Sequence, residues 1–334
     1  MSGTELALAV ATEMSPCLCA YRNRKFGVRL GLPGLVLTLM LWMPCLAIAS
    51  DDPPGWTRGR LTLRIAPEFS SGDYGDDSDT DVWYVPLSVR YQFTEFPLTS
   101  YQYDRLTLGV TIPYIRVNGP GGVVGGTGGP IDIHGQERSP AVLGDSTTAS
   151  DEAGLGDILL KLFYHLLPAP SSKLPWLTVS GKIKIPSASE SKGLGTGEAD
   201  YTLFSELYQP LGAWGIFAGG GYRFMGDPED FDLNDRWLAS AGFDVQLASA
   251  VSAGLSYDYR ESTTSSSAAA HELSPWLSFG VFGAFRIEPY GLIGLSSGSP
   301  DYGLGVRLSW SGRTGTRSVS ADRRKLPSRT DQES

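Results

Sequence analysis

The sequence predicts an all-β fold: a transmembrane, antiparallel, up-and-down β-barrel of about 12 strands that follows a cleaved signal peptide. Three observations lead there. Apolar and polar residues alternate with period two in blocks of about ten residues, the mark of strands with one apolar and one polar face. A basic stretch and an apolar run at the N-terminus direct the chain out of the cytoplasm. Aromatic residues gather near the ends of the blocks, as they do where a barrel meets the two membrane interfaces.

Composition removes the competing classes. The 334 residues carry 27 Lys+Arg against 36 Asp+Glu, for a net charge of −9. That acidic balance argues against a nucleic-acid binder, which needs Lys and Arg to neutralise phosphate. Charged residues make up only 19% and aromatics 11%, which excludes a disordered chain. Glycine is abundant, at 41 residues against the roughly 7% that is usual. A helical membrane protein would need several apolar runs of about 20 residues, and this chain has one at most.

That one run belongs to the N-terminal segment. Arg22, Arg24, Lys25 and Arg29 precede an apolar stretch from Leu30 to Ala49, and Ala47-Ile48-Ala49 suits cleavage before Ser50. Residues 1–49 are expected to be a signal peptide and 50–59 a short extension. Cleavage would remove Cys17, Cys19 and Cys45, the only cysteines, and move the net charge to −11.

The blocks follow in order. Leu61, Leu63 and Ile65 alternate with Arg60, Thr62 and Arg64. Val85, Leu87 and Val89 alternate with Ser88 and Arg90, and Leu106, Leu108, Val110 and Ile112 with Thr107, Gly109 and Thr111. The clearest is Leu177, Val179, Gly181, Ile183 and Ile185 against Thr178, Ser180, Lys182 and Lys184. Twelve such blocks lie near 60–69, 82–94, 104–117, 155–167, 175–186, 199–209, 213–225, 235–247, 250–261, 271–282, 284–296 and 301–311. Long polar connections at 70–81, 118–154, 187–198, 226–234 and 262–270 take turns with shorter ones, as in a barrel with long loops at one rim.

Alternation alone does not say which face is apolar. A soluble barrel fills its inside with apolar residues, whereas a membrane barrel turns them outward to lipid. The export signal, the strand lengths and the aromatics favour the second. The rim aromatics would be Trp83, Tyr84, Phe93, Tyr114, Trp176, Tyr208, Trp214, Phe224, Trp237, Tyr259, Trp276, Tyr290 and Trp310. The last block, Tyr302 to Trp310, resembles the terminal recognition signal of bacterial outer-membrane barrels. It implies insertion by the barrel-assembly machinery. Residues 312–334 follow it and read as a polar, disordered tail, leaving 60–311 for the barrel.

Gly154-Leu155-Gly156-Asp157-Ile158, then Lys182-Ile183-Lys184-Ile185-Pro186, then Gly193-Leu194-Gly195-Thr196-Gly197-Glu198-Ala199-Asp200 occur in this order. Their order resembles the outer-membrane "transporter" family named after the meta-pathway of phenol degradation. The family has a Thr-Gly after the proline where this chain has Ser187-Ala188. The resemblance implies a porin-like barrel that passes small organic molecules.

With the polar face turned inward, the lumen would be lined by Arg64, Arg90, Lys161, Lys182, Lys184, Glu206, Arg223, Asp244, Asp258 and Arg260. The strip Lys161, Lys182 and Lys184 could draw anionic solutes, because rings of charge set the preference of a pore. The simpler reading pairs these cations with nearby acids that brace the wall. An outer-membrane lipid-modifying enzyme is the rival, yet none of His134, His165 and His271 stands in a His-x-Ser arrangement. Asp77, Asp79 and Asp81 have the spacing of calcium ligands, but Val82 and Ser88 stand where an EF-hand needs Gly and Glu. The Gly-rich stretch 119–129 lacks the Lys-Ser/Thr of a phosphate loop. The expectation is therefore passive passage of small organic or anionic solutes across the bacterial outer membrane. No catalytic residue, metal or cofactor is expected, and the partners are outer-membrane lipids and the solutes. The alternative is a structural or adhesin-like barrel with a plugged lumen.

Overall fold

The computed structural model describes residues 59–74, 79–93, 106–120, 123–124, 141–142, 149–166, 174–228, 233–265 and 267–314. The expected signal peptide, the calcium-spaced Asp77, His134, most of the Gly-rich stretch and residues 315–334 lie outside them.

Strand β1 runs in two pieces, Gly59–Ile65 and Glu68–Gly72, parted at Ala66-Pro67, where proline has no N–H to give the ladder. Strands β2 (Thr80–Phe93) and β3 (Leu106–Pro120) follow. Strand β4 is also in two pieces, Ala149–Leu155 and Ile158–His165, parted by Gly156-Asp157. The remainder are β5 (Trp176–Ile185), β6 (Asp200–Leu211), β7 (Trp214–Phe224), β8 (Arg236–Ala248), β9 (Val251–Arg260), β10 (Ala270–Val281), β11 (Phe285–Gly294) and β12 (Tyr302–Thr314). Each pairs antiparallel with the next, and β12 pairs with both pieces of β1, which closes the barrel at 12 strands. Closure removes the open edges that a bilayer core cannot tolerate.

These are the twelve blocks of the alternation, with two corrections: β4 starts at Ala149, inside the expected connection 118–154, because 149–155 pairs with β3, and β12 runs to Thr314, three residues beyond the expected end. Both ends of the described barrel, Gly59 and Thr314, are register partners and lie at one rim. The tight turns 212–213, 249–250 and 282–284 lie there too. Gly212 and Gly283 take φ of 72° and 66° in them, a region closed to most side chains. The connections after β1, β3, β5, β7, β9 and β11 gather at the opposite rim. In bacterial barrels short turns face the periplasm and long loops the outside.

The inside-out question is settled by burial. Leu108, Val110 and Ile112 are exposed on the outer face while Thr111 between them is 1% exposed. Ile183 and Ile185 are exposed, while Lys184 between them is 2% exposed. The same inversion recurs at Leu160 and Leu162 around Lys161, and at Leu203 and Leu207 flanking Glu206. Apolar side chains thus face outward around the wall and polar ones inward, which is stable only with hydrocarbon outside.

Candidate functional site: the polar lumen

Register places the inward side chains in lateral rows, since directly opposed residues on neighbouring strands share a face. One row runs Arg90, Gly109, Lys161, Lys182, Thr202, Arg223, Arg236 across β2 to β8. Five of its seven members are cations. The next row toward the periplasm runs Phe163, Ser180, Phe204, Gly221, Leu238, Arg260. Beyond it lie Thr178, Glu206, Gly219, Ser240, Asp258, Glu272. Basic, apolar and acidic rows therefore follow one another down the wall. The period-two strand pattern creates the inward face, and the antiparallel register collects like charges along it.

The cations are held by specific contacts. Arg223 Nε donates to Thr202 Oγ1 at 3.1 Å, Arg236 Nη1 to Thr263 Oγ1 at 2.8 Å, and Lys161 Nζ to Thr111 Oγ1 at 3.5 Å. Arg260 forms a salt bridge with Glu272, and Arg307 with Glu288. The Arg90 guanidinium lies 5.0 Å from the centre of the Phe163 ring. Lys184 is the most committed: its Nζ lies 3.5 Å from Asp157 Oδ2, 3.3 Å from Asp200 Oδ2 and 2.7 Å from Thr196 Oγ1. The pairing expected for the basic strip is thus observed at Lys184, whereas Lys161 and Lys182 stand in the basic row.

Of the remaining expected residues, Glu206, Arg223, Asp258 and Arg260 are buried on the inner side. Arg64 is opposite the inward Ser88, and Asp244 accepts a hydrogen bond from Tyr208 at 3.3 Å. Sequence reading passed over Glu68, Asp200, Arg236, Glu272, Glu288 and Arg307. All but Glu288 are buried. Their signal was available, because each shares parity with an inward residue on its own strand.

The aromatics divide, and here the expected girdle is corrected. Trp83, Trp214, Phe224 and Trp237 are exposed on the outer face. Tyr84, Trp176, Tyr208, Trp276 and Tyr290 instead have inward parity. The Trp176 and Tyr208 rings lie 5.3 Å apart, tilted by 46°, near the periplasmic rim, and Tyr290 donates to Glu68 Oε2 at 2.8 Å. Glycines opposite make the room: a Cβ on Gly254 would stand 2.3 Å from the Trp276 ring, and one on Gly305 2.3 Å from that of Tyr290. Block-end position alone does not separate rim from lumen; parity does.

At the outer rim Tyr74 adopts φ 52° and is buried. Burial pushes its phenol above the ordinary tyrosine range, with the Glu272 and Glu68 carboxylates acting in the same direction. His165 contacts Thr178 Oγ1 at 2.7 Å, and His271 contacts the hydroxyl of outward Tyr257 at 2.6 Å. No group of metal-binding side chains occurs among the described residues.

Solved structures with this architecture exist. The COG4313 outer membrane channel from Pseudomonas putida F1 superposes with a TM-score of 0.53 at 16% identity, over 79% of this chain and 100% of that one. The chain has the fold of an outer-membrane β-barrel. Weaker likenesses to this barrel are the P. putida toluene transporter TodX (TM-score 0.38, 13% identity, 81% of this chain and 92% of that one) and outer membrane phospholipase A from Escherichia coli (0.37, 12%, 79% and 95%). No protein-family profile matches the barrel's sequence, and no curated protein sequence matches it.

Proposed function

We propose that the barrel is a passive outer-membrane channel for small organic or anionic solutes. The observation that carries this reading is the inward row Arg90, Lys161, Lys182, Arg223, Arg236, a line of cations across seven strands. Such a line favours anions by Coulomb attraction inside a low-dielectric wall. The row Phe163, Phe204, Leu238 beside it gives apolar contact to the carbon part of a solute. The residues proposed to line the path are Arg64, Arg90, Lys161, Lys182, Lys184, Glu206, Arg223, Asp244, Asp258 and Arg260, with Lys184 acting through its carboxylate partners. The resemblance of the 154–158, 182–186 and 193–200 motifs to the family named after phenol degradation supports an organic solute. Residues 1–49 serve as the export signal, the β12 segment is read by the barrel-assembly machinery, and 315–334 form a polar tail.

Reversal potentials in planar bilayers test the reading. Lys161→Gln with Lys182→Gln is expected to lower the anion-to-cation permeability ratio several-fold. An unchanged ratio in a folded variant removes the basic row from solute selection.

A second reading has an observation of its own. Inward polar side chains are almost wholly buried, Arg223 at 1% and Lys182 at 8% exposed, which favours a filled lumen and a structural barrel. Current through the wild-type barrel excludes it, and a consistently silent bilayer supports it.

A further inference from the structure

The three motifs singled out in the sequence, 154–158, 182–186 and 193–200, meet at one place, at the break of β4 and the outer end of β5. Asp157 Oδ1, in the break of β4, accepts the N–H groups of Ser187 and Ala188 at 3.0 and 2.9 Å. Lys184 bridges Asp157 and Asp200, on either side of the 186–199 connection, and donates to Thr196 within it. Gly195 lies against the Asp157 carboxylate, where a Cβ would come within 2.9 Å of Oδ1. The connection is thus fastened at its start, its middle and its end.

Past its exposed turn at Glu190–Lys192, the connection is turned inward. Leu194 is 1% exposed and packs in one cluster with Val82, Tyr84, Ile115 and Val117 of β2 and β3 and with Tyr74. Val82, Tyr84, Ile115 and Val117 form an apolar patch at the outer end of the inner face of β2 and β3, which farther down carry inward Ser88, Arg90, Gly109 and Thr111. An apolar inner wall facing water would be unfavourable at about 25 cal/mol per Å². It makes sense as a seat for the leucine. Gly154 leaves the leucine its space, since a Cβ there would stand 2.8 Å from Leu194 Cδ1.

We infer that the 186–199 segment is a strap folded into the outer mouth of the barrel, latched by Leu194, and that it sets the size of solute the barrel admits. This rests on the channel reading above. The chain passes over the inner side of β4 to reach β2 and β3, so it occupies cross-section that a solute would otherwise use. The clasp Asp157–Lys184–Asp200 anchors the strap's two ends, and the leucine seat holds its second half.

The test is unit conductance of the full chain refolded into planar bilayers, for wild type, Leu194→Ala and Leu194→Asn. A heat-modifiable gel shift identifies folded protein. Releasing the latch is expected to raise conductance about two-fold or more, in graded order Ala then Asn, and to admit larger neutral sugars in liposome swelling. Folded variants with wild-type conductance and size limit overturn the strap. If wild type is silent and Leu194→Asn conducts, the strap stands as the closing element and only the open-channel reading falls. If neither conducts, the strap does not set passage and is overturned. Docking is checked without current by maleimide labelling above the unsubstituted chain. Leu194→Cys is expected to label at least about tenfold more slowly than exposed Ser191→Cys, and equal rates overturn the latch.

Discussion

Lys184 shows how one residue is decided by its surroundings. It sits between outward Ile183 and Ile185, is 2% exposed, and meets two carboxylates and a hydroxyl. A buried ammonium is tolerated only with such compensation, and its removal leaves two carboxylates close together with no counter-charge. Lys184→Met is therefore expected to destabilise the folded barrel by about 3–5 kcal/mol, whereas an exposed pair such as Lys192–Glu152 contributes under about 1 kcal/mol. Urea-dependent folding into phospholipid vesicles measures both, and equal losses for Lys184→Met and Lys192→Met would contradict the clasp. The sequence showed Lys184 as a polar-face residue. Its partners Asp157 and Asp200 stand 27 residues before and 16 after it, a relation that only the register supplies.

At the scale of the element, the glycines explain how aromatic rings fit an inner wall. Strand β7 has inward Gly219 and Gly221, and the Phe204 ring of β6 lies over them. A Cβ on Gly221 would stand 2.2 Å from the Leu203 carbonyl oxygen, a backbone atom that cannot turn aside. Gly221→Val is expected to abolish the heat-modifiable folded band or to shift its melting down sharply. Val at Gly181, which faces open space on the outside of β5, is expected to fold normally. Strand existence, order and approximate bounds were legible from the period-two pattern, down to the three C-terminal blocks where glycine blurs it. The side on which each aromatic lies was not legible from block-end position, because inward and outward residues alternate up to the rims. Trp276 and Tyr290 show this: both sit inside the lumen, each resting on a glycine of the neighbouring strand.

For the whole molecule, the apolar face is the outer one, and lipid takes the place of a core. Leu160→Arg, in mid-wall and facing lipid, is expected to cost about 2–4 kcal/mol, whereas Leu247→Arg, near the short-turn rim, is expected to cost about 0–1 kcal/mol. Folding titrations into vesicles compare the two, and equal costs would place the hydrocarbon elsewhere. The lumen, by contrast, is ordered by rows of like chemistry that spread across many strands. No local stretch of sequence contains such a row; Lys161 and Arg236 belong to one and are 75 residues apart.

The twelve alternating blocks were enough to determine an antiparallel barrel, and the export signal, strand lengths and aromatics favoured lipid outside it, because the period of a strand and the need to satisfy every backbone group in a bilayer leave few alternatives. Only the tertiary structure decided what the inward face does. Which cation meets which carboxylate, which ring rests on which glycine, and that Lys184 stands opposite Asp200 and beside Asp157 all follow from cross-strand register. Register is a relation between strands, and it becomes definite only when the barrel closes.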